Sequence, residues 1–344
     1  VDVNPEAKDP SEFPCYESVD SLKSKAGCIQ LPKARRITEG KFTVTSFIVS
    51  PDGSKVAFSH QPDPLINSFV KSNISVVDLG SGKVTAVVTN PSSDGLEAWS
   101  PDSRQILYST NLSDTTSNFY TNSKLFAINL GDKSQKQIAK DLDEDLGGGI
   151  SWVQSGIYFS LFNKTNRPVY KADPATGNFS VFLNSPQQIF GITFSKNGDQ
   201  MAFSGRNGDQ LNEVFVTAVA NSSKQTKITS MSDQLANWKL PTSEVISWKS
   251  KDGAVIEGVL HKPKNYDPAK KYPLLVVIHG GPTGIDTPAP TPGSVYPIAQ
   301  WVDKGCLVLR PNYRGSAGYG EKFRSLNVKN LGVGDAWDVL SGVD

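Results

Sequence analysis

The chain has 344 residues, 38% hydrophobic and 20% charged, which is enough for two domains with substantial cores. Its 35 Lys and Arg are balanced by 34 Asp and Glu, so there is no basic field for nucleic acid and no acidic tail. No apolar run approaches the about 20 residues of a membrane helix, and neither a nucleic acid nor a membrane is expected as a partner.

Residues 1–37 read as an N-terminal extension. The opening run Val1 to Lys8 lacks an initiator Met, a basic region and an apolar core, as expected of a processed mature terminus or a cut fragment. Cys15 and Cys28 bracket a short polar loop, and a disulfide there would constrain the unfolded chain by on the order of 3 kcal/mol.

Residues 38–240 carry an internal repeat. Ser50-Pro51-Asp52-Gly53 leads into a strand ending at Ser59, and Ser100-Pro101-Asp102-Ser103 into one ending at Ser109. A fainter copy runs from Trp152 to Ser160 and a fourth from Ser195 to Ser204. The closing serines are 50, 51 and 44 residues apart, and each copy is followed by a further strand and a polar turn. A turn joining two strands, then another strand and hairpin, makes one four-stranded blade that can bury its faces only against neighbouring blades. Propellers have typically about 4 to 8 blades. Either some blades are unrecognisable, the ring is small, or the sequence omits part of it.

N-glycosylation sequons fall at Asn73, Asn111, Asn163, Asn178 and Asn221, all in this region. Together with the possible Cys15–Cys28 bridge and the mature-looking terminus they favour an extracellular, secreted protein.

Residues 241–344 change character. Glu244 to Gly253, continuing through Ile256-Glu257-Gly258 to His261-Lys262-Pro263, reads as a hairpin with Asp252-Gly253 as its tight turn. The β-branched run Pro273 to Ile278 suits a fully buried parallel strand and delivers His279-Gly280-Gly281-Pro282. Two glycines there bring bare amides close to a substrate oxygen, as an oxyanion hole requires. Cys306 to Leu309 gives a second buried strand, with Cys306 as an inert packed thiol, followed by the glycine loop Arg314 to Gly320. Val333, Trp337 and Leu340 form one apolar stripe of a helix expected to pack on the sheet.

HGGP followed by RPNYRGSAGYGEKF resembles the prolyl oligopeptidase family of serine peptidases, particularly its acylaminoacyl-peptidase and secreted dipeptidyl-peptidase V branch. The segment from Glu244 to Pro263 resembles that family's first catalytic-domain hairpin. The resemblance implies a β-propeller followed by the N-terminal part of an α/β-hydrolase domain. It also implies hydrolysis of short peptides through serine attack and an acyl-enzyme. Gly280 and Gly281 would form the oxyanion hole, His279 would hold that loop, and Arg314, Tyr319 and Gly320 would shape the substrate pocket. The family's nucleophile sits in a GxSxGG elbow beyond Asp344, with the acid and histidine later still. A triad needs its three members within hydrogen-bond reach, so these 344 residues alone are expected to be inert.

The remaining candidates attract plainer readings. Ser316 lacks the first glycine of a nucleophile elbow. His60 and His261 are expected to be solvated or satisfied in a core. Asp335 and Asp338 are expected to pair with Arg310 or Arg314, or to be solvated. Dipeptidyl peptidases hold a substrate's free amine with propeller glutamates, but the acidic cluster Asp141, Asp143, Glu144 and Asp145 reads better as a solvated loop. Nothing has metal-ligand spacing, and Gly147-Gly148-Gly149 lacks the strand-to-helix setting of a phosphate loop. No cofactor or metal is expected. Two alternatives remain: a non-catalytic secreted propeller glycoprotein, and an esterase-like α/β-hydrolase.

Overall fold

The computed structural model describes residues 35–344 apart from 116–119, 147–148, 282 and 292–295. The expected Cys15–Cys28 bridge, Gly147, Gly148 and Pro282 lie outside the described residues. The chain divides into two units, 1–40 and 41–344. In the first, Arg36 Nε donates to Thr38 O at 2.8 Å; the rest concerns the second.

Four successive four-stranded sheets are built as simple antiparallel meanders. The first comprises β1 (Thr43–Val49), β2 (Lys55–Gln61), β3 (Asn73–Asp78) and β4 (Val84–Val88). The second comprises β5 (Asp94–Trp99), β6 (Gln105–Thr110), β7 (Lys124–Asn129) and β8 (Gln135–Ile138). The third has β9 (Ser151–Val153), β10 (Gly156–Ser160), β11 (Val169–Ala172) and β12 (Phe179–Leu183). The fourth has β13 (Gln188–Phe194), β14 (Gln200–Arg206), β15 (Glu213–Ala218) and β16 (Gln225–Lys227).

The repeated turns join the first two strands of each sheet, and their chemistry is local. Ser50 Oγ donates to Asp52 Oδ1 at 2.6 Å, and Gly53 N to Ser50 O at 2.8 Å. Gly53 has φ +71°, a conformation glycine adopts without a Cβ penalty. Ser100 and Asp102 repeat the bond at 2.6 Å, as do Ser195 and Asp199. In the second copy Ser103 stands in place of glycine, and its hydroxyl accepts from Asp52 N at 3.1 Å, joining successive turns.

Middle strands such as β6 and β10 are buried on both faces, because each inner sheet lies between two others. Ala57, Ile74, Trp99, Ile106 and Tyr108 fill the space between the first and second sheets. Leu107, Leu125, Ile157 and Phe159 fill that between the second and third, and Tyr158, Val169, Ile189, Met201 and Phe203 that between the third and fourth. Among the described residues no such core joins the fourth sheet to the first. Of the sequon asparagines, Asn163, Asn178 and Asn221 are exposed, whereas Asn73 and Asn111 are half-buried.

The fifth sheet is mixed. β17 (Thr242–Lys249), β18 (Val255–Lys262), β19 (Leu274–Val276) and β20 (Leu307–Asn312) lie in the order β17-β18-β20-β19, and only β19 and β20 are parallel. The helix α1 (Ile298–Asp303) lies between them in sequence and packs Ile298 and Val302 on Val277 and Val308. Two more helices, α2 (Gly320–Ser325) and α3 (Gly334–Ser341), follow β20.

Several expectations need correction here. The hairpin turn spans residues 250–254 rather than two residues, since Lys249 pairs with Val255. The Asp252 carboxylate at its tip is drawn to Arg314. β19 is an edge strand, with Leu274 and Ile278 exposed rather than fully buried. On α3 the apolar stripe is not the packed face: Val333 and Leu340 are exposed, and Asp338 is buried. The reason is electrostatic, because the buried Arg314 guanidinium takes the Asp338 carboxylate. His261 is neither solvated nor satisfied: it is fully buried, and among the described residues neither ring nitrogen has a hydrogen-bond partner. Burial, with the nearby Arg310 charge, lowers its pKa to about 3. His60, by contrast, bonds Ser75 Oγ at 2.9 Å.

Candidate active site

β19 ends at the sheet edge and releases His279, Gly280 and Gly281. Gly281 has φ +121°, and a Cβ there would lie 2.8 Å from Gly284 N, so the bend tolerates only glycine. Gly280 differs: a Cβ on it would meet open space. Both glycines are exposed, and among the described residues neither N–H has an acceptor. They are therefore available to an external oxygen.

His279 does not reach outward. Its ring stacks on Tyr313 at 4.6 Å, and Tyr313 OH donates to His279 O at 2.7 Å. Its Nε2 is 3.1 Å from Ser316 Oγ, which in turn donates to Tyr313 O at 2.6 Å. The His279 Nδ1 is 3.1 Å from Gly280 O, so the ring is held through both nitrogens. Ser316 is fully buried and presents no lone pair and proton to a substrate in the manner of an activated nucleophile. Burial holds the His279 pKa below its ordinary value.

The loop after β20 is the other half of the site. Ala317 N donates to Gly284 O at 3.2 Å, tying it to the segment that follows Gly281. Below it, Asn312 clasps the Asp286 backbone: Asp286 N donates to Asn312 Oδ1 at 2.7 Å and Asn312 Nδ2 to Asp286 O at 2.9 Å. The Asp286 carboxylate is paired with Arg310.

A cavity of about 390 Å³ opens beside this loop, lined in part by Glu144, Phe162, Lys164, Tyr170, Tyr319 and Gly320. Tyr319 and Gly320 line this cavity. Arg314 does not line it, and that assignment is corrected. Its guanidinium is 2% exposed, held by Asp338 at 2.7 Å and Asp252 at 2.8 Å, with its own N–H on Asp338 Oδ2 at 2.7 Å. This is a buried fork that fixes the loop to α3.

Glu144 corrects the reading of the acidic cluster. It is 6% exposed, not solvated. One carboxylate oxygen accepts from Gly318 N at 2.7 Å and Gly320 N at 3.3 Å, and the other pairs with Arg324. Asp143 accepts from Glu321 N at 3.0 Å, so adjacent acids take amides at the start of α2.

With this geometry in view, known proteins can be compared. The model of the prolyl oligopeptidase family matches residues 294–344. A probable dipeptidyl-peptidase 5 of Aspergillus niger is 27% identical over 322 residues, covering 85% of this chain and 42% of its own length. Dipeptidyl aminopeptidase A of Saccharomyces cerevisiae is 32% identical over 114 residues, 33% of this chain and 12% of its own. The chain is similar to members of the prolyl oligopeptidase family. An acylaminoacyl peptidase of Pyrococcus horikoshii shares the fold, with a TM-score of 0.68 at 20% identity over 87% of this chain and 44% of that one. The chain spans less than half the length of these relatives.

Sequence reasoning missed Ser316, Tyr313 and Glu144 as supports of the loops. Ser316 and Tyr313 lie inside the glycine-rich motif and had a signal. Glu144 had none, because its partner Arg324 is 180 residues away.

Proposed function

We propose that this chain is the N-terminal part of a secreted serine peptidase that hydrolyses short peptides by way of an acyl-enzyme. The observation that carries the reading is the pair of Gly280 and Gly281 amides at the end of a parallel strand, without an acceptor among the described residues. Preorganised N–H groups of this kind stabilise the oxyanion of a tetrahedral intermediate. Similarity to prolyl oligopeptidase family members supports the reaction class. In this reading the four antiparallel sheets are consecutive blades of a β-propeller within residues 38–240. The segment 241–344 opens an α/β-hydrolase domain whose triad lies in polypeptide downstream of Asp344.

Within that scheme His279 keeps the oxyanion loop in place, while Tyr319 and Gly320 form part of the pocket wall. The exposed Asn163, Asn178 and Asn221 are acceptors for N-linked glycans. A fluorophosphonate probe tests the reading on two samples: the 344-residue chain, and the natural gene product extended past Asp344. Labelling of the extended product alone is the expected result. An extended product that fails to label, or a transcript that stops at Asp344, overturns the proposal.

A further inference from the structure

The loop Gly315–Gly320 is gripped from two sides. From the antiparallel sheets, Glu144 accepts the Gly318 and Gly320 amides, and Lys164 N donates to Gly318 O at 2.6 Å. Toward β19, Ser316 Oγ lies 3.1 Å from His279 Nε2 and Ala317 N donates to Gly284 O. Gly315, Gly318 and Gly320 have φ of +97°, +90° and +84°, a conformation that ties the loop's shape to its anchors. Glu144 is also held from behind by Arg324, itself 2% exposed. A buried, charge-assisted acceptor that is fully partnered is a rigid point.

We infer that Glu144 is a positioning residue for the oxyanion loop, acting from the antiparallel sheets through Gly318, Ser316 and His279 on Gly280 and Gly281. The inference rests on the proposed peptidase reading for its consequence, but not for its geometry. It gives the sheet assembly a direct mechanical hold on catalytic amides. Displacement of the segment carrying Glu144 would shift the oxyanion site without touching substrate.

The test is made on the 344-residue chain and needs no activity. Histidine-selective NMR follows the titration of the three rings, and hydrogen exchange follows the Gly318 and Gly320 amides. In Glu144→Ala both amides exchange about tenfold faster or more, the scale of one lost hydrogen bond. The His279 midpoint also rises toward that of a free histidine while His60 and His261 stay in place. Glu144→Gln retains an oxygen for the Gly318 amide and keeps His279 at its native midpoint. Should Glu144→Ala not fold, Ser316→Ala cuts the same path lower down, shifting the His279 midpoint with the Gly318 and Gly320 amides still protected. Faster exchange at Gly318 and Gly320 with an unmoved His279 would overturn the inference, as would an unmoved His279 in Ser316→Ala. Failure of the fluorophosphonate experiment alone would remove the peptidase reading and leave this coupling intact.

Discussion

Ser316 Oγ lies 3.1 Å from His279 Nε2, yet the pair is a strut rather than a catalytic dyad. The serine donates its proton to Tyr313 O and is fully buried, whereas a nucleophile needs its base to accept that proton. In the extended, active protein Ser316→Ala should slow fluorophosphonate labelling without abolishing it. Complete loss with the fold intact would make Ser316 the nucleophile and refute this assignment.

The two loop glycines should differ sharply on substitution. Gly281→Val forces a β-branched residue to φ +121° with its Cβ 2.8 Å from Gly284 N. In the extended enzyme turnover should fall about 100- to 1000-fold, as when an oxyanion donor is lost, against a stability cost of about 1–3 kcal/mol for the strained backbone. Gly280→Ala meets no atom and should leave the denaturation midpoint nearly unchanged. Equal losses of turnover and stability in Gly281→Val would discredit the oxyanion role.

Arg314 presents two ion pairs of opposite worth. Arg314→Met leaves Asp338, fully buried, without its cation, and breaking such a pair costs about 3–5 kcal/mol. Asp252 has a side chain 40% exposed, so Asp252→Asn should cost only about 0–1 kcal/mol. Urea unfolding of both variants decides the matter, and comparable losses would contradict it.

His261 should make the fold sensitive to mild acid. Its pKa is lowered from 6.5 to about 3, first by burial and then by Arg310. Below pH 6.5 the unfolded chain binds a proton that the folded chain refuses, so stability falls as pH drops, until the folded ring titrates near pH 3. The total is on the order of a few kcal/mol. His261→Leu removes the titration and two unpartnered nitrogens, and its stability should diverge upward from the native chain's between pH 6.5 and 3. Parallel pH profiles would exclude His261 as the source.

Legibility in the sequence followed the distance over which each interaction acts. The Ser-Pro-Asp-Gly turns were readable because Ser50, Asp52 and Gly53 satisfy one another within four residues. The parallel pairing of β19 with β20 likewise follows from two short apolar runs joined by a crossover. Glu144 and Arg314 were misread for the opposite reason. A carboxylate in an acidic run and an arginine in a glycine loop both look like groups for water or substrate. Whether they are buried depends on Arg324, 180 residues on, and on Asp252 and Asp338, 62 and 24 residues away.

The amino-acid sequence on its own therefore determined the turns, the strand repeat, the glycine bends and the family resemblance, all of which arise from neighbouring residues. Only the tertiary structure decided which charges are buried, which face of α3 packs, and that Glu144 supports the loop beside Gly281. Those outcomes depend on desolvating a charge against a partner that folding alone brings within hydrogen-bond reach.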